Sequence, residues 1–153
     1  MLETLQEGAR NLLGVELTRE QLERFQLFYE ELVAWNERIN LTAITEYEAV
    51  QSRHFLDSLT LASPQLRGDD PGHPFKMAGA SLIDIGAGGG FPGLPLKILY
   101  PDLKLTLVDS VGKKTGVLDD IAKKLGFGDV LVVNGRAEEF RGDGFDGLML
   151  AIE

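Results

Sequence analysis

The sequence predicts an α/β fold in which a parallel sheet is wound by helices behind a separate helical layer. Three observations carry the expectation. Over residues 1–62 apolar side chains recur at spacings of three and four, the period of a helix face. From Ser81 onward short apolar runs alternate with helical patterns, which implies right-handed crossover units on a parallel sheet. The 18 glycines are sparse in the first part and crowd into Ala78–Gly93 and the stretch beyond Gly126.

The first helix is expected over Leu2–Leu13, with Gly14 as its stop. A second begins at Thr18, whose hydroxyl can cap the free amides of the first turn while Gln21 reaches back, the capping-box arrangement. It should run to about Ile39, burying Leu22, Phe25, Tyr29, Leu32 and Ile39 with Asn36 in the stripe, flanked by Phe28, Val33 and Trp35. A third, Glu46 to about Leu61, carries Val50, Phe55, Leu56, Leu59 and Leu61. Residues 1–62 thus form a helical cap. Residues 63–80 hold three prolines, three glycines and adjacent aspartates, a composition that disfavours both helix and strand, and are expected to be a linker. Residues 81–153 form the Rossmann-like unit: strand Ser81–Ile85, helix Leu94–Leu99, strand Lys104–Val108, helix Lys113–Leu125, strand Val130–Val133 and a last strand within Phe145–Ile152.

Composition narrows the chemistry. Without cysteine there is no disulfide scaffold, no thiolate zinc site and no thiol nucleophile. His54 and His73 are too few for a histidine-based metal site unless carboxylates supply the rest, and no metal is expected. Apolar runs are too short for a membrane span, and Met1–Arg10 lacks the basic and apolar regions of a secretory signal, so a cytoplasmic location is expected. A net charge of −9 argues against nonspecific grip on nucleic acid, which normally comes from a basic excess.

The most informative stretch is Leu82-Ile83-Asp84-Ile85-Gly86-Ala87-Gly88-Gly89-Gly90-Phe91-Pro92-Gly93. An apolar strand runs into glycines and then a helix, so bare backbone faces the carboxyl end of the strand, where open α/β sheets bind ligands. Glycine permits positive φ in a tight turn and lets a ligand approach the main chain. The next strand ends in Asp109, about twenty residues on, where a carboxylate can accept hydrogen bonds from both hydroxyls of a ribose. The dinucleotide fingerprint needs its last glycine where Phe91 stands, followed here by Pro92, which disfavours a pyrophosphate seat. No Gly-Lys-Ser/Thr follows the glycines, so the lysine-bearing phosphate loop is absent as well. What remains is a nucleoside cofactor without phosphates, and the loop looks like an S-adenosylmethionine site. The competing reading is a glycine-rich structural turn.

Five blocks then carry a specific resemblance: Trp35–Thr42 (WNERINLT), Arg53–Leu59 (RHFLDSL), the loop Asp84–Gly93, Val108–Lys114 (VDSVGKK) and Gly135–Phe140 (GRAEEF). In order and spacing they resemble the RsmG (GidB) family, bacterial methyltransferases that use S-adenosylmethionine to modify guanine N7 in 16S ribosomal RNA. The resemblance implies that Gly86, Gly88 and Phe91 line the cofactor, that Asp109 meets its ribose and that Ala137 and Glu138 border the adenine. It implies as partner the 16S ribosomal RNA or a small-subunit particle. The family pattern continues beyond Leu148 with a Ser-Arg-Ala segment, whereas this chain reads Met149-Leu150-Ala151-Ile152-Glu153. The sheet is therefore expected to be incomplete after its fourth strand, which would be an open edge.

Guanine N7 already carries a free lone pair, so methyl transfer to it needs orientation and exclusion of water rather than a general base, and no catalytic residue is assigned. Among secondary candidates, His54 reads as a structural group joining the two layers before it reads as an RNA contact. Asp57 and Ser58 read as capping or interlayer groups, and Phe25 and Trp35 as core aromatics. Lys113 and Lys114, beside Asp109, and Lys123 and Lys124 read as solvated helix faces, although the first pair can also meet phosphate. Two rival functions remain: a module that binds the cofactor without turnover, and a nicotinamide-dependent dehydrogenase, which Phe91 disfavours.

Overall fold

The computed structural model describes residues 1–139 and the backbone of residues 149–151. Helix α1 (Glu3–Leu13) ends at Gly14, whose φ of 64° turns the chain and whose N–H bonds the carbonyls of Ala9 and Arg10. Helix α2 (Arg19–Asn36) starts on the expected capping box: the Gln21 amide donates to Thr18 Oγ1 at 3.1 Å and the Thr18 amide to Gln21 Oε1 at 2.9 Å. It stops before the expected Ile39 because the Asn36 carboxamide oxygen accepts the amides of Leu41 and Thr42 at 2.8 and 2.9 Å, folding the chain back over the helix end.

The third helical stretch is not the uniform helix its apolar pattern predicts. An α-helical turn, α3 (Tyr47–Val50), passes into a π-helical segment at Gln51–Leu56, then into α4 (Asp57–Leu59) and a 3₁₀ turn at Thr60–Ala62. The stretch at 63–80 also departs from expectation, because it contains a short helix, α5 (Pro64–Arg67). Ser63 caps it by accepting the Leu66 amide, and Pro64 sits in the first turn, where its missing N–H costs nothing. The rest of that join is organised around Arg67, whose nearly buried guanidinium pairs with Asp69 and donates to the carbonyls of Leu61 and Phe75.

The sheet follows the predicted alternation closely: β1 (Ser81–Ile85), α6 (Gly93–Leu99), β2 (Lys104–Asp109), α7 (Gly112–Lys124), β3 (Leu131–Asn134) and β4 (Met149–Ala151). The four strands lie in the order β3-β2-β1-β4, and every pairing is parallel. Among the described residues β3 and β4 are the edges of the sheet. Of its expected span, residues 145–148 and 152 lie outside the described residues. No helix among the described residues is long and apolar enough to cross a membrane.

One core joins the helical layer to the sheet. Phe25, Phe28 and Leu32 of α2, with Phe55 and Leu59, pack against Leu94 and Leu96 of α6 and against Leu82, Leu105 and Leu107 from one face of the sheet. The opposite face carries a smaller cluster of Ile83, Ile85 and Val108 with Val133. Burying each such side chain stabilises the fold by about 1.5–3 kcal/mol. The approach of α6 to the sheet leaves no room for a side chain at Gly93, where a Cβ would stand 2.7 Å from Leu107 Cδ2 and 3.0 Å from Asp84 Oδ2. Gly93→Ala is therefore expected to destabilise the protein by about 1–3 kcal/mol, despite the better helix propensity of alanine. Denaturant unfolding measures this, and a variant more stable than the parent would contradict the packing argument.

Candidate functional site

The glycine loop is folded by its own main chain. Gly86 and Ala87 donate to the Val108 carbonyl at 2.8 and 3.0 Å, which carries the chain from the end of β1 over the end of β2. Gly86, Gly88 and Gly90 take φ values of 76°, 52° and 95°, a region that side chains with a Cβ rarely enter. Asp109, the last residue of β2, is almost fully buried and braces the loop from below. Its Oδ2 accepts the Gly88 amide and its Oδ1 the Val111 amide, each at 2.9 Å. A carboxylate oxygen has two lone pairs, so both oxygens can still accept from a second donor.

The wall opposite Asp109 comes from the helical layer. The His54 imidazole lies over the Phe91 ring, with centroids 4.3 Å apart and planes 8° from parallel. His54 Nε2 is 2.7 Å from Thr42 Oγ1, and that oxygen also accepts the Ile44 amide at 3.0 Å. Burial pushes the imidazole pKa down, against a smaller upward pull from Asp57, which favours the neutral ring. His54 is thus the interlayer group the sequence suggested. Ser58 is likewise internal, donating its hydroxyl to the His54 carbonyl at 2.5 Å. Phe25 is core and Trp35 packs against it, the indole N–H donating to Asp120 at 3.2 Å.

Between loop and wall opens a cleft of about 590 Å³. Of the residues singled out in the sequence, Gly86, Gly88, Phe91, Asp109 and Lys114 line it, and so do His54, Ser110 and Val111, for which no such role was expected. Lys113 is exposed in the first turn of α7, outside the lining. Ala137 and Glu138 fall in a 3₁₀ turn, Ala137–Glu139, just past β3 and also outside it. That turn is nevertheless tied to the cleft through strand pairing, since Asn134 sits opposite Asp109 and the Gly135 amide donates to the Asp109 carbonyl at 3.1 Å.

This arrangement coincides with a family pattern. A family model for rRNA small subunit methyltransferase G (GidB) matches residues 21–152. The chain belongs to that family. A ribosomal RNA small subunit methyltransferase G from Lachnoclostridium phytofermentans is 44% identical over 137 residues, which is 89% of this chain and 52% of the relative. The corresponding protein of Dehalococcoides mccartyi is 46% identical over 127 residues, 83% of this chain and 50% of the relative. The chain therefore spans about half the length of the curated relatives it matches. Among solved structures, a precorrin-6y C5,15-methyltransferase from Geobacter metallireducens shares 19% identity over 54% of this chain and 39% of its own, with a TM-score of 0.42.

One group beneath the loop has no counterpart in the sequence reading. Asp84, in the middle of β1, is fully buried. Its Oδ2 accepts the Gly93 amide at 3.0 Å, while Oδ1 has no partner. Burial raises its pKa from the usual 3.8 to about 7; the Gly93 bond opposes the shift and the nearby Asp109 adds to it. The signal was present: in the alternation of β1, Asp84 shares a face with Leu82, the face that meets α6. A carboxyl whose folded pKa is raised binds its proton in the fold at pH values where the unfolded chain has lost it. The contribution of Asp84 to stability is then most favourable below pH 3.8 and falls as pH rises toward about 7. The loss amounts to about 4 kcal/mol at most, from about 1.4 kcal/mol per unit. Asp84→Asn removes this dependence. The stability of the variant relative to the parent is expected to improve between pH 5 and pH 8 in denaturant unfolding, a comparison in which the titration of His54 cancels. An identical difference at both pH values would refute the assignment.

Proposed function

We propose that the chain carries the cofactor-binding part of a cytoplasmic S-adenosylmethionine-dependent methyltransferase that methylates a guanine N7 of 16S ribosomal RNA, free or in the small-subunit particle. The observation that carries this reading is the cleft over the glycine-rich turn, where Gly86, Gly88 and Gly89 present main chain without a Cβ, with Asp109 at its edge. The residues fit such a cofactor. At Gly88 a Cβ would meet only the Gly86 carbonyl oxygen, at 3.9 Å, so the glycine there faces open space, unlike Gly93, which packing requires. Asp109 retains acceptor capacity for ribose hydroxyls after bracing Gly88 and Val111. Ala137 and Glu138 are the candidates for the adenine edge, by a main-chain amide and a carboxylate.

Bound in this way, the cofactor would supply an electrophilic methyl group on a sulfonium. The protein has little covalent work to do, because guanine N7 is a nucleophile without deprotonation. What its residues contribute is orientation: Asp109 and the glycine turn hold one reactant, and the His54–Phe91 wall excludes water from one side of the cleft. Lys114, on the cleft, and Lys113 beside it would meet phosphates of the RNA.

Calorimetry with S-adenosylhomocysteine tests the cofactor reading. Asp109→Ala is expected to weaken binding by a factor of about ten or more, since a charge-assisted hydrogen bond is worth about 1.5–3 kcal/mol, and Asp109→Asn by less. Absence of binding to the parent chain, or equal affinity in the Asp109→Ala variant, would overturn the site. Methyl transfer to small-subunit particles, assayed in parallel, distinguishes an enzyme from a module that only binds.

A further inference from the structure

Beside the His54–Phe91 pair lies a second, smaller pocket, of about 230 Å³. It is lined by Arg53, His54, Asp57, Thr60, Phe91 and Pro92, together with Ser58 and Leu61. Its volume falls below the range of about 300–1,000 Å³ usual for drug-sized ligands and suits one planar ring system. The stacked pair contributes to the lining of both spaces.

We propose that this pocket seats the target guanine, with Asp57 reading its Watson–Crick edge; the inference rests on the methyl-transfer reading above. Arg53 and Asp57 are both exposed, and among the described residues neither side chain has a hydrogen-bond or ion-pair partner. They stand four residues apart on the segment where the helix widens into its π turn, a geometry that recurs at functional sites. Asp57 closes that turn, its amide bonding the carbonyls of Ser52 and His54. Both side chains line the pocket that Phe91 also borders.

Guanine matches this pair. Its N1–H and N2–H donors lie side by side and suit the two oxygens of a carboxylate, while the adjacent O6 takes a donor such as Arg53. Adenine offers an acceptor at N1, which a carboxylate repels. A base held by its Watson–Crick edge keeps N7, across the ring system, unobstructed. RNA enzymes and single-strand binders commonly splay a base out and enclose it beside aromatic side chains, and His54 and Phe91 stand in the wall of this pocket.

The test uses the present chain saturated with S-adenosylhomocysteine, titrated with guanosine, inosine and adenosine 5′-monophosphates and followed by amide chemical shifts. Guanosine monophosphate at millimolar concentration is expected to shift Thr60 and Leu61 while the cofactor product stays bound. Inosine monophosphate, which lacks the N2 donors, should bind more weakly, and adenosine monophosphate should not shift these amides. Asp57→Ala and Asp57→Asn should each weaken guanosine monophosphate about tenfold and leave affinity for S-adenosylhomocysteine unchanged, which also shows that the variants are folded. Absence of shifts at Thr60 and Leu61, equal affinity in the Asp57 variants, or displacement of S-adenosylhomocysteine by guanosine monophosphate would overturn the pocket. If S-adenosylhomocysteine itself fails to bind, the cofactor reading falls, and the same nucleotide titration of the ligand-free chain still decides on the pocket.

Discussion

The stack of His54 on Phe91 is the contact on which the site depends, because it fastens the helical layer to the glycine loop. Phe91 is also stacked on Phe28 at 5.4 Å and tilted against Phe55 at 6.1 Å, and Phe55 contacts Phe25 at 5.1 Å. Aromatic pairs of this kind add about 0.5–1.5 kcal/mol each beyond the area they bury. A polar chain reinforces them: Asn36 holds the amides of Leu41 and Thr42, Thr42 holds His54, and His54 lies on Phe91. A glycine in place of Phe91, as the dinucleotide fingerprint has it, would remove the anchor. The same residue that argued against a pyrophosphate seat therefore explains why a helical cap is present: it supplies one wall of the cleft.

The sheet was legible because its signals are local and redundant. β1 coincides with its expected span and β2 extends it by one residue, Asp109, since apolar runs between turn residues have few other ways to bury themselves. The helix ends were less legible, for reasons that are not local. Asn36 ends α2 through bonds to residues five and six positions on, and the π turn at Gln51–Leu56 leaves the apolar stripe of Val50, Phe55 and Leu59 buried as a regular helix would. At Ser63-Pro64 the signal was present, a capping residue before a first-turn proline, but the turn-rich composition around it outweighed it.

The site divides in the same way. Gly86, Gly88 and Asp109 were readable because a strand, a bare turn and a terminal carboxylate form a pattern with a known geometric consequence. The double use of Asp109, brace for Gly88 and Val111 as well as open acceptor, was not readable, since it depends on how the loop folds back over β2. His54, Asp57 and Arg53 were visible as residue types, yet their convergence on Phe91 needs the helical layer to dock. Asp84 stood in the middle of the motif, and only the approach of α6 reveals why its charge is costly.

The acidic balance of the chain looks at odds with the proposed RNA substrate, but the lysine pairs are not equivalent. Lys123 and Lys124, near the end of α7, are neutralised: Lys123 pairs with Asp119, and Lys124 with Asp120 and Glu31. Lys113 and Lys114 stand at the start of the same helix, where the backbone dipole disfavours cations, and no acidic residue shares that first turn. Among the described residues neither has an ion-pair partner. Two unneutralised cations in an unfavourable position, one of them on the cleft, contribute nothing evident to folding. Net charge governs long-range attraction, whereas close contacts depend on where individual charges stand, so a net charge of −9 is compatible with the phosphate contact proposed for Lys113 and Lys114.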